Sequence, residues 1–154
     1  MCWLLDEAGA PEVRAQLSAA ELVLASSLTL IECERVLIRA VTLDLLPEAV
    51  AAERRAVLGR TTDHWVTFDL DTEVVERARR PFPAEPIRTL DAIHLATVVL
   101  ARSLVPDVVV LSLDERVRRS AEQMGLLLLP RGAARDRAPR MVSLPPLEIR
   151  SGLD

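Results

Sequence analysis

One helical segment carries polar side chains at a spacing that could do chemistry. Residues 89–103 are apolar around nearly the whole circumference of the predicted helix, which is typical of a buried helix. Asp91, His94 and Thr97 are three residues apart and therefore form one narrow polar stripe. Burying an ionised aspartate is costly unless a cation or strong hydrogen bonds meet it. The pattern favours a cation at Asp91 over a capping or buried hydrogen-bonding role, whereas His94 is predicted to be a satisfied core residue rather than a ligand.

A second acidic residue, Asp114, follows the clearest predicted strand, residues 107–113. It lies just past the carboxyl end of that strand and opens a helix, and ligands of open α/β sheets bind at this edge. An N-cap would also explain an aspartate here, and on this position alone the two interpretations are evenly matched. Ser112 could bind a metal-bound water or simply end the strand.

The third acidic residue, Glu32, lies about one turn into the helix after the first predicted strand. Two structural roles compete with a functional one. Thr29 and Glu32 fit a capping box, and Glu32 could pair with Arg35 on a solvated helix face. Taken singly, Glu32 is better explained by these structural roles.

The three carboxylates together indicate more than each does alone. Glu32, Asp91 and Asp114 are predicted at corresponding edges of one sheet, and oxygen ligands suit a hard cation such as Mg²⁺ or Mn²⁺. Such a cluster can orient a water for attack on a phosphodiester and neutralise the developing charge. The sequence has no glycine-rich phosphate loop and no cysteine–histidine zinc pattern.

The elements that must position these side chains alternate along the chain. Mostly apolar strands between helices indicate an α/β fold with a parallel sheet covered on both faces. Asp71 is predicted to cap the helix that ends near Arg80. The sequence predicts strands at 22–26, 64–68, 107–113 and 126–129, and helices at 12–20, 28–41, 47–58, 72–80, 89–103 and 114–124.

Length and composition limit the classes of protein. The 154 residues suffice for one domain, predicted at residues 1–130, followed by an Arg- and Pro-rich, loosely ordered tail at 131–154. The net charge of −4 argues against a strongly basic nucleic-acid binder. No apolar run is long enough to span a bilayer, the N-terminus does not resemble a signal peptide, and two cysteines make no disulfide framework. These features predict a cytoplasmic protein.

The sequence resembles the PIN-domain nucleases, and most of all the VapC-type toxins, over residues 1–130. The most specific motif is Leu-Asp-Ala-Ile-His-Leu-Ala-Thr at 90–97, supported by Ser-Leu-Thr-Leu-Ile-Glu at 27–32 and Val-Leu-Ser-Leu-Asp-Glu-Arg at 110–116. The resemblance implies a three-layer fold and a metal-dependent endoribonuclease that uses Mg²⁺ or Mn²⁺. It also implies an RNA substrate, a homodimer and a cognate antitoxin. The family's acidic positions match Glu32, Asp91 and Asp114.

The chain departs from this family at its beginning. Members open with a short central strand that ends in an aspartate just before the first helix, and residues 1–11 resemble the end of that helix and the loop after it. Asp6 and Glu7 match that loop, so neither is predicted to replace the missing carboxylate. Two explanations stay open: the start is assigned too far downstream, or the chain is a degenerate remnant with weak activity or none. The three intact acids favour the first.

Two alternatives to a ribonuclease remain. One is a catalytically impaired PIN-like module that binds an antitoxin-like partner or RNA without cleaving. The other is an unrelated α/β domain whose acids are caps and surface pairs. Four arginines near the candidate acids could hold RNA phosphates, although solvated helix faces explain them equally well: Arg88, Arg116, Arg118 and Arg119.

Overall fold

The computed structural model describes residues 3–131, in which helices and strands alternate as the sequence predicts. The helices are α1 (Ala10–Ala19), α2 (Ser27–Thr42), α3 (Glu48–Thr62), α4 (Thr72–Ala78), α5 (Thr89–Leu104) and α6 (Glu115–Gln123). The strands are β1 (Leu24–Ser26), β2 (Val66–Phe68), β3 (Val109–Leu111) and β4 (Leu127–Leu129). The predicted α/β class is confirmed. The predicted tail lies outside the described residues apart from Arg131.

The four strands form two separate parallel pairs instead of the single sheet that the alternation predicts. β1 pairs with β2 in the register Leu24 to Val66, and β3 pairs with β4 in the register Val109 to Leu127. Within residues 3–131 no strand joins β1 to β3. Each strand is only three residues long because the chain leaves the ladder early to begin the next helix or turn.

Helix α5 lies at the centre of the packing. Its Leu95 and Ala96 are fully buried, and it contacts α4, α6 and β1. One buried cluster surrounds α5, and a second brings Trp3 and Leu4 against α1, α2 and α3. The prediction that α5 is a buried helix is confirmed for its middle, whereas Leu90 and Leu104 near its ends are 47% and 73% exposed. In the described part of the chain, no helix is long and apolar enough to cross a membrane.

The predicted N-cap of α4 is confirmed. Asp71 has extended backbone angles and its Oδ1 accepts a hydrogen bond from the Val74 N–H at 2.9 Å. Because this bond satisfies one of the free donors of the first turn, Asp71→Ala is expected to lower the free energy of unfolding by about 1 kcal/mol. Urea unfolding measures the change. Glu53→Ala on an exposed face of α3 is the control and is expected to stay within about 0.5 kcal/mol of the parent protein.

Candidate metal centre

Asp91 lies in the first turn of α5, where the helix dipole favours a negative charge. Its Oδ2 is buried and makes no hydrogen bond within the described residues. Burial raises the pKa of the Asp91 carboxyl above its ordinary value near 3.8, and the negative charge of Asp114 raises it further. Arg116, Arg88 and His94 act in the opposite direction. The nearby positive groups therefore do not fully offset the cost of the negative charge on Asp91.

Asp114 lies at the N-terminus of α6, three residues after the end of β3. Its Oδ1 accepts hydrogen bonds from the N–H groups of Arg116 at 2.8 Å and Val117 at 3.4 Å, so the predicted N-cap is real. The side chain is exposed, and its charge acts on Asp91. Ser112 supports this turn, because its Oγ accepts a hydrogen bond from the Asp114 N–H at 3.1 Å. Capping and proximity to Asp91 thus coexist at Asp114.

Glu32 does not take either of the structural roles that its sequence neighbours suggested. Helix α2 is capped by Ser26, whose Oγ accepts a hydrogen bond from the Leu28 N–H, so a capping box at Thr29 is wrong. The hydrogen bond of Glu32 crosses to α5 and joins its Oε2 to Nε2 of His94 at 2.8 Å. Glu32 therefore faces the helix that carries Asp91.

His94 is the residue near these acids whose partner the sequence did not indicate. The prediction that it is a satisfied residue rather than a ligand agrees with its hydrogen bond to Glu32, although its side chain is only partly buried, with 24% exposed. The sequence showed only that His94 follows Asp91 by three residues and so shares its helix face. Thr97, the third member of the stripe, is buried and donates to the Ile93 carbonyl at 3.0 Å, which is a purely structural role.

Glu32 is hydrogen-bonded to His94, and the charges of His94 and Asp114 act on Asp91. These side chains do not surround a common point. Among the described side chains, no three His, Cys, Asp or Glu residues are arranged to hold a metal ion. The donor set nevertheless fits a hard cation, because the orphaned Asp91 oxygen and the charge of Asp114 call for a positive partner.

The arginines predicted to contact RNA differ in their availability. Arg88 and Arg116 are exposed, and both lower the pKa of Asp91 through their charges, so they lie near the acids. Arg119 is exposed as well. Arg118 is only 5% exposed and donates to the carbonyls of Ser112, Leu129 and Pro130. The prediction that Arg118 holds a phosphate is wrong, because its guanidinium is committed to the backbone.

Two other polar residues, Asp6 and Cys33, have structural roles. Asp6 forms ion pairs with Arg14 and Arg54, and hydrogen bonds from Arg14 and then Arg54 hold the pKa of its carboxyl below the ordinary value. Asp6 is therefore a loop anchor, consistent with its exclusion as a replacement ligand. Cys33, next to Glu32, is fully buried, and burial raises the pKa of its thiol to about 11, so it is no nucleophile at neutral pH.

Comparisons with known proteins show the family of the chain. The sequence matches the PIN domain family over residues 2–123. The chain belongs to the PIN domain family. It is 34% identical over 110 residues to the proteins named Ribonuclease VapC35 of Mycobacterium tuberculosis strains CDC 1551 / Oshkosh and ATCC 25618 / H37Rv, and the aligned region covers 71% of this chain and 73% of each relative. No solved structure matches the sequence. The resemblance to VapC-type PIN-domain nucleases is thereby confirmed.

Proposed function

We propose that this chain is a Mg²⁺- or Mn²⁺-dependent endoribonuclease and the toxin of a toxin–antitoxin pair. One observation carries the proposal: within residues 3–131 the Asp91 carboxylate has a buried oxygen with no hydrogen-bond partner, and the negative charge of Asp114 acts on it. A cation between the two would compensate both charges. The relatives named Ribonuclease VapC35 support RNA as the substrate.

In this proposal the acidic residues bind the cation and two arginines bind the RNA. Asp91, Asp114 and Glu32 would hold the ion, which when bound supplies Lewis acidity and an activated water. Arg88 and Arg116 are exposed and near Asp91, so their guanidinium groups can hold the phosphates that flank the cleaved bond. The cation and the two guanidinium groups together offset the repulsion between the RNA phosphates and the carboxylates.

The first experiment is cleavage of a single-stranded RNA with a fluorophore and a quencher. Cleavage is expected with Mg²⁺ or Mn²⁺, loss of cleavage with a chelator, and recovery when the metal is restored. Cleavage that persists after chelation contradicts metal dependence. Asp91→Asn purified in parallel is expected to lack activity, so cleavage by that sample would reveal a contaminating nuclease. Asp107→Asn, at an exposed residue just before β3, is the matched control that should keep activity.

A second candidate is a PIN-like module that binds a partner or RNA without cleaving it. It is favoured by the observation that the three carboxylates do not converge on one point in the described structure. Calorimetric titration with Mn²⁺ separates the two. No measurable binding by a folded sample that still binds RNA would support the module.

The family resemblance also suggests the partners. We propose that a cognate antitoxin silences the chain, that the active form is a homodimer, and that the protein acts in the cytoplasm. Expression of the chain alone is expected to inhibit growth. The product of the adjacent reading frame, expressed with it, is expected to relieve this inhibition and to co-purify with the chain. Light scattering of the purified protein measures the oligomeric state.

A further inference from the structure

The contact between Glu32 and His94 joins two helices that are distant in sequence. Glu32 lies on α2 and His94 on α5, sixty-two residues apart, and the distance from Oε2 to Nε2 is 2.8 Å. Both side chains are partly buried, with 29% and 24% of their surfaces exposed. Because water competes less for a partly buried hydrogen bond than for one between freely solvated side chains, this contact restrains both side chains.

The direction of this hydrogen bond follows from the chemistry of the two groups. An ionised carboxylate can only accept, so Nε2 of His94 must be the nitrogen that carries the proton. The bond engages one oxygen of Glu32, and the second oxygen, Oε1, keeps its capacity to bind a cation. The imidazole is therefore a donor that can fix the carboxylate without occupying all of it.

The helix that carries His94 is a rigid base for this donor. The next three residues, Leu95, Ala96 and Thr97, are all buried. A flexible glutamate loses rotamer freedom when it is fixed, so a partner that fixes it beforehand lowers the entropic cost of binding an ion. Asp91 lies one turn earlier on the same helix face, so the held carboxylate contacts the face of α5 that carries the second candidate ligand.

We propose that His94 is a positioning residue that holds Glu32 toward the Asp91 side of α5 for metal binding. The inference rests on the proposed function, because it needs Glu32 to be a metal ligand. His94 does not touch the metal or the RNA in this role. It acts through Glu32, as partners of metal-binding carboxylates commonly do.

The test compares His94→Leu with His94→Gln by Mn²⁺ calorimetry and by thermal melting. Leu removes the donor, and Mn²⁺ affinity is expected to fall by about 10–100-fold. Gln keeps an N–H donor at a similar reach, and its affinity is expected to stay within about fivefold of the parent protein, as rescue of a hydrogen bond requires. The metal concentration for half-maximal RNA cleavage is expected to follow the same order.

Thr97→Val is the matched control, because Thr97 lies on the same stripe of α5 and bonds only to the Ile93 carbonyl in the described structure. It is expected to change the melting temperature without changing Mn²⁺ affinity. Parent-like Mn²⁺ affinity in His94→Leu overturns the inference and leaves the ribonuclease intact. Equal loss in the Leu and Gln variants also overturns it and indicates that His94 binds the metal itself. If the parent protein binds no Mn²⁺ and cleaves no RNA, the proposed function fails first.

Discussion

Asp91→Asn is expected to abolish RNA cleavage, with a loss of about 10³-fold or more in rate. A metal-binding carboxylate contributes several kcal/mol to stabilising the charge of the transition state, and each 1.36 kcal/mol corresponds to about tenfold in rate. The asparagine keeps the shape of the side chain but removes the charge that would attract the cation. The measurement is the rate of cleavage of the quenched RNA substrate at saturating Mn²⁺.

The same substitution is expected to stabilise the protein when no metal is present. The Asp91 carboxylate is destabilised by burial and by the charge of Asp114, and the amide removes both costs. The melting temperature in a chelator is expected to rise by about 2–5 °C. Added Mn²⁺ is expected to stabilise the parent protein and not the variant, because only the parent binds the ion.

The pH dependence of this gain has a defined sign. Because the pKa of Asp91 is raised in the folded protein, its favourable contribution is fully present below the unfolded value near 3.8 and is lost as pH rises through the folded value. The stability advantage of Asp91→Asn is therefore expected to be small near pH 3.8 and to grow toward neutral pH. Asp107→Asn, which changes an exposed aspartate, is expected to show neither the loss of cleavage nor this trend. An Asp91→Asn variant that cleaves normally contradicts the site.

Arg118→Met is expected to lower the free energy of unfolding by about 2–4 kcal/mol. The guanidinium of Arg118 donates to Ser112 and Leu129 at 2.7 and 3.0 Å, and to Pro130 at 3.0 Å. The Ser112 carbonyl follows β3, Leu129 is the last residue of β4 and Pro130 follows it, so the side chain links the carboxyl ends of β3 and β4. Methionine fills similar space but removes the hydrogen bonds to the Ser112 and Pro130 carbonyls, and unsatisfied buried groups are costly. The Leu129 carbonyl keeps the Ser112 N–H at 3.1 Å.

Urea unfolding followed by circular dichroism measures the effect, and Arg119→Met is the matched control. Arg119 is the next residue of α6 and is exposed, so its replacement is expected to change stability by less than about 0.5 kcal/mol. If the two variants are equally stable, the hydrogen bonds of Arg118 contribute little to the fold. Because Asp114 lies between Ser112 and Arg118, the Arg118 variant is also expected to cleave RNA more slowly.

The sequence predicted the order of helices and strands because each element carries its own local signals. The apolar circumference of α5, the run of valines in β3 and the capping residue Asp71 are all read within one segment. Asp91 could also be predicted as a candidate site residue, since an aspartate in an otherwise apolar helix needs a partner. The family motif at residues 90–97 added weight to the same position.

Other features depend on contacts between distant segments and could not be read in this way. The partner of His94 lies on another helix, so local spacing showed only that His94 shares a face with Asp91. Arg118 was expected at the surface because arginine is usually exposed, whereas its burial depends on carbonyls at the ends of β3 and β4. The division of the strands into two pairs likewise depends on which strands meet, and apolar runs alone do not specify this.

The central claim is that Glu32, Asp91 and Asp114 bind one divalent cation. Crystals of the full chain grown with Mn²⁺, with diffraction recorded at the manganese absorption edge, test this claim most directly. The expected result is an anomalous peak within about 2.0–2.3 Å of Asp91 Oδ2 and of carboxylate oxygens from Asp114 and Glu32. A well-ordered site with no peak at these acids, or with manganese bound only elsewhere on the surface, would contradict it.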